Sequence, residues 1–133
     1  MSAGLRFDKF FNHSPDVVWR VLTEPDLVER WWASTDIQPE VGHKFMMDMG
    51  PWGTQLCEVL AAEPAQLIRY SFGVGTLNSV ITWRLVPEGS GTTLLLEHDG
   101  FDLGSAMGKR AYEGMGEGWP NVLSRIGESI ADL

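Results

Sequence analysis

The chain has 133 residues, 44% of them hydrophobic and 21% charged, a length and balance that fit one folded domain over residues 1–133 and exclude a second folded unit or a disordered tail. Ten Lys and Arg against eighteen Asp and Glu leave a net charge of −8, which repels a phosphate backbone and argues against nucleic-acid partners; one adjacent basic pair, Lys109-Arg110, is too little to hold a membrane surface. The single cysteine, Cys57, excludes an internal disulfide and a thiol-based zinc site, and with no apolar run suited to a signal peptide or a membrane span the expected setting is cytoplasmic.

The first element is an aromatic-rich strand over residues 5–11, Leu-Arg-Phe-Asp-Lys-Phe-Phe. Ser14, Pro15 and Asp16 then supply a cap, a preset first helical residue and a carboxylate at the positive end of the dipole. Val18, Trp19, Val21 and Leu22 give the apolar face of a helix over about 15–23. Pro25-Asp26 opens a second short helix in which Leu27, Val28, Trp31 and Trp32 recur at helical spacing, ending near Trp32. From residue 43 the period becomes two: Phe45, Met47 and Met49 share a face, and Gly50-Pro51-Trp52-Gly53 turns the chain into a strand at about 54–62. Further strands are predicted at 67–72, 79–86 and 92–99, separated by Pro64-Ala65, by Gly73–Thr76 and by Glu88–Gly91. Short turns impose antiparallel pairing, so these strands form a meander with one face to cover.

The cover is the last element. Tyr112, Met115, Trp119, Val122, Leu123, Ile126 and Ile130 recur at intervals of three and four, predicting an amphipathic helix over 112–130. Gly114, Gly116, Gly118 and Pro120 disfavour regular helix, so the expectation is a kink near Pro120, or a main helix that starts there behind a looser 103–118. The class is α+β, a curved antiparallel sheet wrapped around a long C-terminal helix with two short helices after the first strand. Glycines facing the sheet would leave volume for an internal apolar cavity lined by aromatic and methionine side chains.

Ser14–Pro25, Val41–Phe45, Ile81–Leu85, Gly91–Phe101 and Gly118-Trp119-Pro120, in that order and spacing, resemble the small bacterial domains grouped with the heat shock protein 90 ATPase activator. These sit within the START-like, SRPBCC superfamily, whose fold is the helix grip also described as Bet v allergen-like. The resemblance implies a cavity between sheet and C-terminal helix but no single activity. It also raises a chaperone partner, against which the length counts: the eukaryotic activator carries a separate chaperone-binding domain for which 133 residues leave no room.

The expected function is therefore to bind a small lipophilic molecule, with no catalysis and no cofactor evident. The candidate lining residues are Phe45, Met47, Met49, Tyr70, Phe72, Trp83, His98, Phe101, Met115 and Trp119. His98 lies on the inward face with Leu94 and Leu96, where it either orients a ligand or bonds a nearby backbone carbonyl. Asp99 points to the opposite face, so the two form no catalytic dyad. A cyclase- or hydrolase-like enzyme using the same cavity would have His98 as its one plausible acid or base, without ordered partners. His13, His43, His98 and Cys57 lack metal-ligand spacing, and Gly73-Val74-Gly75 lacks the third glycine of a dinucleotide loop. Trp31-Trp32, about 100° apart on a helix, cannot both face one core patch. They and the turn residue Trp52 are candidates for a cavity mouth, a chaperone contact or a homodimer interface.

Overall fold

A computed structural model describes residues 2–133; Met1, where the expected domain begins, lies outside the described residues. Within them the order is β1 (Ser2–Phe11), α1 (Pro15–Thr23), α2 (Pro25–Trp31), β2 (Ser34–Thr35), β3 (Lys44–Asp48), β4 (Thr54–Glu63), β5 (Leu67–Phe72), β6 (Ser79–Glu88), β7 (Gly91–Asp102) and α3 (Ala106–Ala131), with a 3-10 turn at Gly50–Trp52. The strands form one antiparallel sheet in the order β1-β7-β6-β5-β4-β3-β2. The predicted meander accounts for β3 to β7. The first strand closes the far side by pairing with the last, Leu5 opposite His98 and Phe7 opposite Leu96.

Period-two patterning decides which face is buried. Phe45, Met47, Cys57, Val59, Ile68, Tyr70, Phe72, Ile81, Trp83, Leu85, Leu94, Leu96 and His98 all lose their solvent on the inward side. Outward positions carry Arg6, Lys44, Arg84 and Asp99, and the Arg6–Asp99 ion pair at 2.7 Å confirms that Asp99 turns away from His98. Helix α3 packs across the inward face beside β1 and β7, with α1 and α2 filling the remainder. Trp119, Val122, Leu123, Ile126 and Ile130 form its buried stripe.

Four local expectations are corrected. Helix α3 begins at Ala106 rather than 112, because the Ser105 hydroxyl accepts the Gly108 N–H at 2.9 Å and caps it. It also runs unbroken through Pro120, so neither the looser 103–118 nor a start at Pro120 occurs; the buried stripe on either side outweighs the lost backbone bond. A side chain at Gly114 or Gly118 would meet open space, and one at Gly116 would touch Leu5 at 3.4 Å. The glycines therefore thin the helix against the sheet only at Gly116. Ser14, finally, uses its carbonyl, not its hydroxyl, at the start of α1, accepting from Val17 and Val18.

One irregularity positions the site. In β7 strict alternation would send Phe101 outward, but Gly100 is an extra residue in the β1–β7 register, between Ala3↔Phe101 and Gly4↔Asp99. Its φ of 94° is open to glycine at no steric cost. The bulge turns Phe101 inward, beside His98.

Candidate functional site

The ends of β3, β5 and β7, the starts of β4 and β6 and the N-terminal half of α3 meet at one end of the sheet. The β5–β6 loop touches the start of β4 there, Thr76 Oγ1 donating to Gln55 Oε1 at 3.2 Å. Beneath them lies a set of rings in mutual contact. Trp119 packs edge-on to Trp83 at 5.6 Å between centroids and to His98 at 5.8 Å. His98 meets Phe101 at 4.4 Å and Phe72 at 5.8 Å, and Trp31 meets Trp83 at 5.8 Å. Offset and edge-to-face contacts of this kind add to the area term for aromatic burial.

A chain of polar bonds runs through these rings. Trp119 Nε1–H donates to His98 Nδ1 at 3.2 Å. An indole nitrogen can only donate, so Nδ1 is the bare nitrogen and Nε2 carries the proton. That proton goes to Ser79 Oγ at 2.9 Å, and Ser79 in turn donates to the Phe72 carbonyl at 2.9 Å. Every link has a donor facing an acceptor. His98 is fully buried, and burial pushes its pKa down from 6.5 to about 3. Protonation would also set an N–H at Nδ1 against the Trp119 N–H. The imidazole is therefore neutral and fixed in one tautomer, and it bonds two side chains, not the backbone carbonyl the plainer sequence reading named.

A second buried group sits beside the first. Trp83 Nε1–H donates to the Tyr70 hydroxyl at 3.0 Å, and Phe45 packs edge-on to Tyr70 at 5.2 Å. Burial drives the Tyr70 pKa well above its usual value, opposed only in part by the Trp83 bond, so the phenol keeps its proton. Trp31 Nε1–H is satisfied by the Val21 carbonyl at 2.8 Å.

Trp32 departs from expectation for a clear reason. It follows the last helical residue of α2 with φ −137° and ψ −81°, so the 100° helical offset from Trp31 does not apply. Its ring folds back to lie parallel to Trp31 at 5.6 Å, on Phe72 at 5.5 Å and against Trp119 at 5.2 Å. Half-buried, it roofs the cluster, while Trp52 in the 3-10 turn stands 73% exposed.

Both the sequence and this fold have relatives among known proteins. A protein-family model, Activator of Hsp90 ATPase homolog 1-like protein, matches residues 12–131. The chain belongs to this family. Among solved structures, protein MLL2253 from Mesorhizobium loti is 33% identical over 98% of both chains, with a TM-score of 0.87. Protein BH1534 from Bacillus halodurans shares the fold at 21% identity, over 96% of both chains with a TM-score of 0.82. CalU16 from Micromonospora echinospora shares it at 24% identity, over 97% of this chain and 76% of that one, with a TM-score of 0.80. No curated protein matches the chain.

In this member of the activator-like family, eight of the ten candidate residues, Phe45, Met47, Tyr70, Phe72, Trp83, His98, Phe101 and Trp119, are buried; Met49 and Met115 are half-buried against the same core. The structure brings Phe72, Trp83, His98, Phe101 and Trp119 together, with Tyr70 and Phe45 joined through Trp83. Met115 lies one helical turn from Trp119 on the same face. Two open depressions, of about 320 and 210 Å³, lie on the outside of the sheet, and Phe45 alone of the ten borders one of them. Among the described residues no three His, Cys, Asp or Glu cluster as a metal site, and no helix is long and apolar enough to cross a membrane. Ser79, Trp31 and Trp32 complete the arrangement without having been candidates for its lining. Ser79 was legible: it stands two residues before Ile81, on the inward register of that strand.

Proposed function

We propose that this protein binds a small lipophilic molecule between the sheet and α3, admitted at the end of the sheet that carries the β3–β4 and β5–β6 loops. The observation that carries the reading is the rim over the aromatic cluster. Trp32, Met49, Leu77 and Met115 are half-buried apolar side chains packed against the core, and Trp32 lies directly on the buried rings of Phe72 and Trp119. Two of the four are methionines, whose unbranched thioethers repack readily around a guest, and aromatic-lined concavities with few polar groups are the usual form of small-molecule sites. Binding rather than turnover is the favoured role, because both nitrogens of His98 are already bonded to protein and its low basicity suits a structural link.

The test is a thermal-shift screen of the protein against fused-ring aromatics, sterols and fatty acids. A ligand at 100 times its Kd adds about 2.7 kcal/mol, worth several degrees in a chain of this size. Met115→Trp, which crowds the rim, should abolish the shift while leaving the ligand-free protein folded. No shift across the panel, or shifts untouched by Met115→Trp, would overturn the reading.

Trp52 carries a second reading, in which this exposed indole contacts a chaperone or a second copy of the chain. Trp52→Ser should then reduce stimulation of a chaperone's ATPase or shift the sedimentation of the free protein. If the wild type neither stimulates nor self-associates, this reading fails.

A further inference from the structure

The polar atoms of the buried cluster can be paired off one by one. Trp31, Trp83 and Trp119 each spend their single N–H, His98 spends both nitrogens, and Ser79 spends its hydroxyl proton on the Phe72 carbonyl. Tyr70 does not balance. Its oxygen accepts from Trp83, but among the described residues nothing accepts its own proton. A phenol has one donor and must aim it somewhere; buried without an acceptor, that donor forfeits about 1–3 kcal/mol. The group is 1% exposed, stands on the inward face of β5 and lies edge-on to Phe45 at 5.2 Å and against the N–H edge of Trp83 at 3.0 Å.

We infer that Tyr70 is the polar anchor of the binding site and that its proton is meant for the ligand, which is a fused-ring or aryl molecule bearing a neutral carbonyl oxygen. The inference rests on the binding reading above and narrows it. The surrounding rings of Phe45, Phe72, Trp83 and Trp119 favour an apolar, aromatic body. The unspent Tyr70 donor calls for an acceptor on the guest. No Lys or Arg is buried in the core, so a carboxylate would enter without a counter-charge and a neutral ketone is preferred. His98, the residue the sequence pointed to, cannot serve, because its proton is already held by Ser79.

The experiment uses two isosteric pairs that differ by one oxygen, fluorene with 9-fluorenone and 9,10-dihydroanthracene with anthrone. Each is titrated into the full chain and followed by tryptophan fluorescence. In the wild type the ketone of each pair should bind about tenfold more tightly, the size of one buried hydrogen bond. The carbonyl stretch of bound fluorenone should fall below its frequency in hydrocarbon solvent. In Tyr70→Phe the preference should shrink to less than about twofold, with the hydrocarbons binding as before. That change leaves the Trp83 N–H without its acceptor, so Tyr70→Phe combined with Trp83→Phe serves if the single variant does not fold, and the infrared signature needs no variant. Equal binding of ketone and hydrocarbon, an unshifted carbonyl band, or a buried water that keeps the Tyr70 proton in the complex overturns the anchor while leaving the site standing. Failure of all four probes to bind overturns the anchor and counts against the site itself.

Discussion

Acid should destabilise this protein through His98. In the folded chain the imidazole is neutral down to about pH 3, whereas in the unfolded chain it takes up a proton near its ordinary value of 6.5. Below pH 6.5 the unfolded state therefore binds one more proton than the folded state, and stability falls with pH. The contribution is fully present above 6.5, declines between 6.5 and about 3, and is gone below. At about 1.4 kcal/mol per pH unit, lowering the pH from 7.5 to 4.5 costs about 2.7 kcal/mol from this one group, or roughly 10 °C in Tm for a chain of this length. Other groups titrate over the same range, so the assay compares urea-unfolding free energies of wild type and His98→Asn at pH 7.5 and 4.5. Asn can keep one donor and one acceptor but cannot titrate. Whatever the variant's absolute stability, the wild type should lose about 2.7 kcal/mol more across the interval. Parallel losses in the two proteins, or a His98 ring whose NMR shifts titrate near pH 6.5, would refute the closed chain from Trp119 to Phe72.

Trp119→Phe should lower stability by about 3 kcal/mol in urea unfolding, because it leaves His98 Nδ1 without its donor and thins the ring cluster; it should also raise the His98 pKa, measurable by NMR. Gly114→Ala and Gly118→Ala should each raise stability by about 1 kcal/mol, since the added methyl meets open space and removes the helix penalty of glycine. Gly108→Ala should do the reverse, because its methyl would collide with the Asp102 carbonyl behind the cap of α3. The Cys57 thiol, pushed up to about 12 chiefly by burial, should resist a disulfide reagent at pH 8 in native buffer and react at once in urea.

Local chemistry in the sequence was enough to place most strands and helices and their buried faces, though not the start of α3. Alternation in Ile81-Thr-Trp-Arg-Leu85 can bury only one side of a strand, the three-four spacing from Tyr112 to Ile130 can bury only one stripe of a helix, and Pro15 and Pro25 each suit the first position of a helix. With short glycine turns these fixed an α+β sheet needing a helical cover, and they put His98 and Asp99 on opposite faces. What escaped the sequence depends on partners distant along the chain. Nothing near β1 says that it pairs with β7, and the bulge that turns Phe101 inward exists only because that pairing is one residue out of step at Gly100. Pro120 argues locally for a break, yet α3 continues because the packing of Trp119, Val122 and Leu123 is worth more than one backbone bond. Trp32 is drawn back over Trp31 by the rings of Phe72 and Trp119, from β5 and α3. The roles of His98 and Tyr70 were likewise settled by neighbours 13 to 21 residues away: one has every hydrogen bond it can make, and the other has one to spare. Side-chain direction follows from the period of the local chain, but hydrogen-bond satisfaction is a property of the assembled interior, and only the tertiary structure decides it.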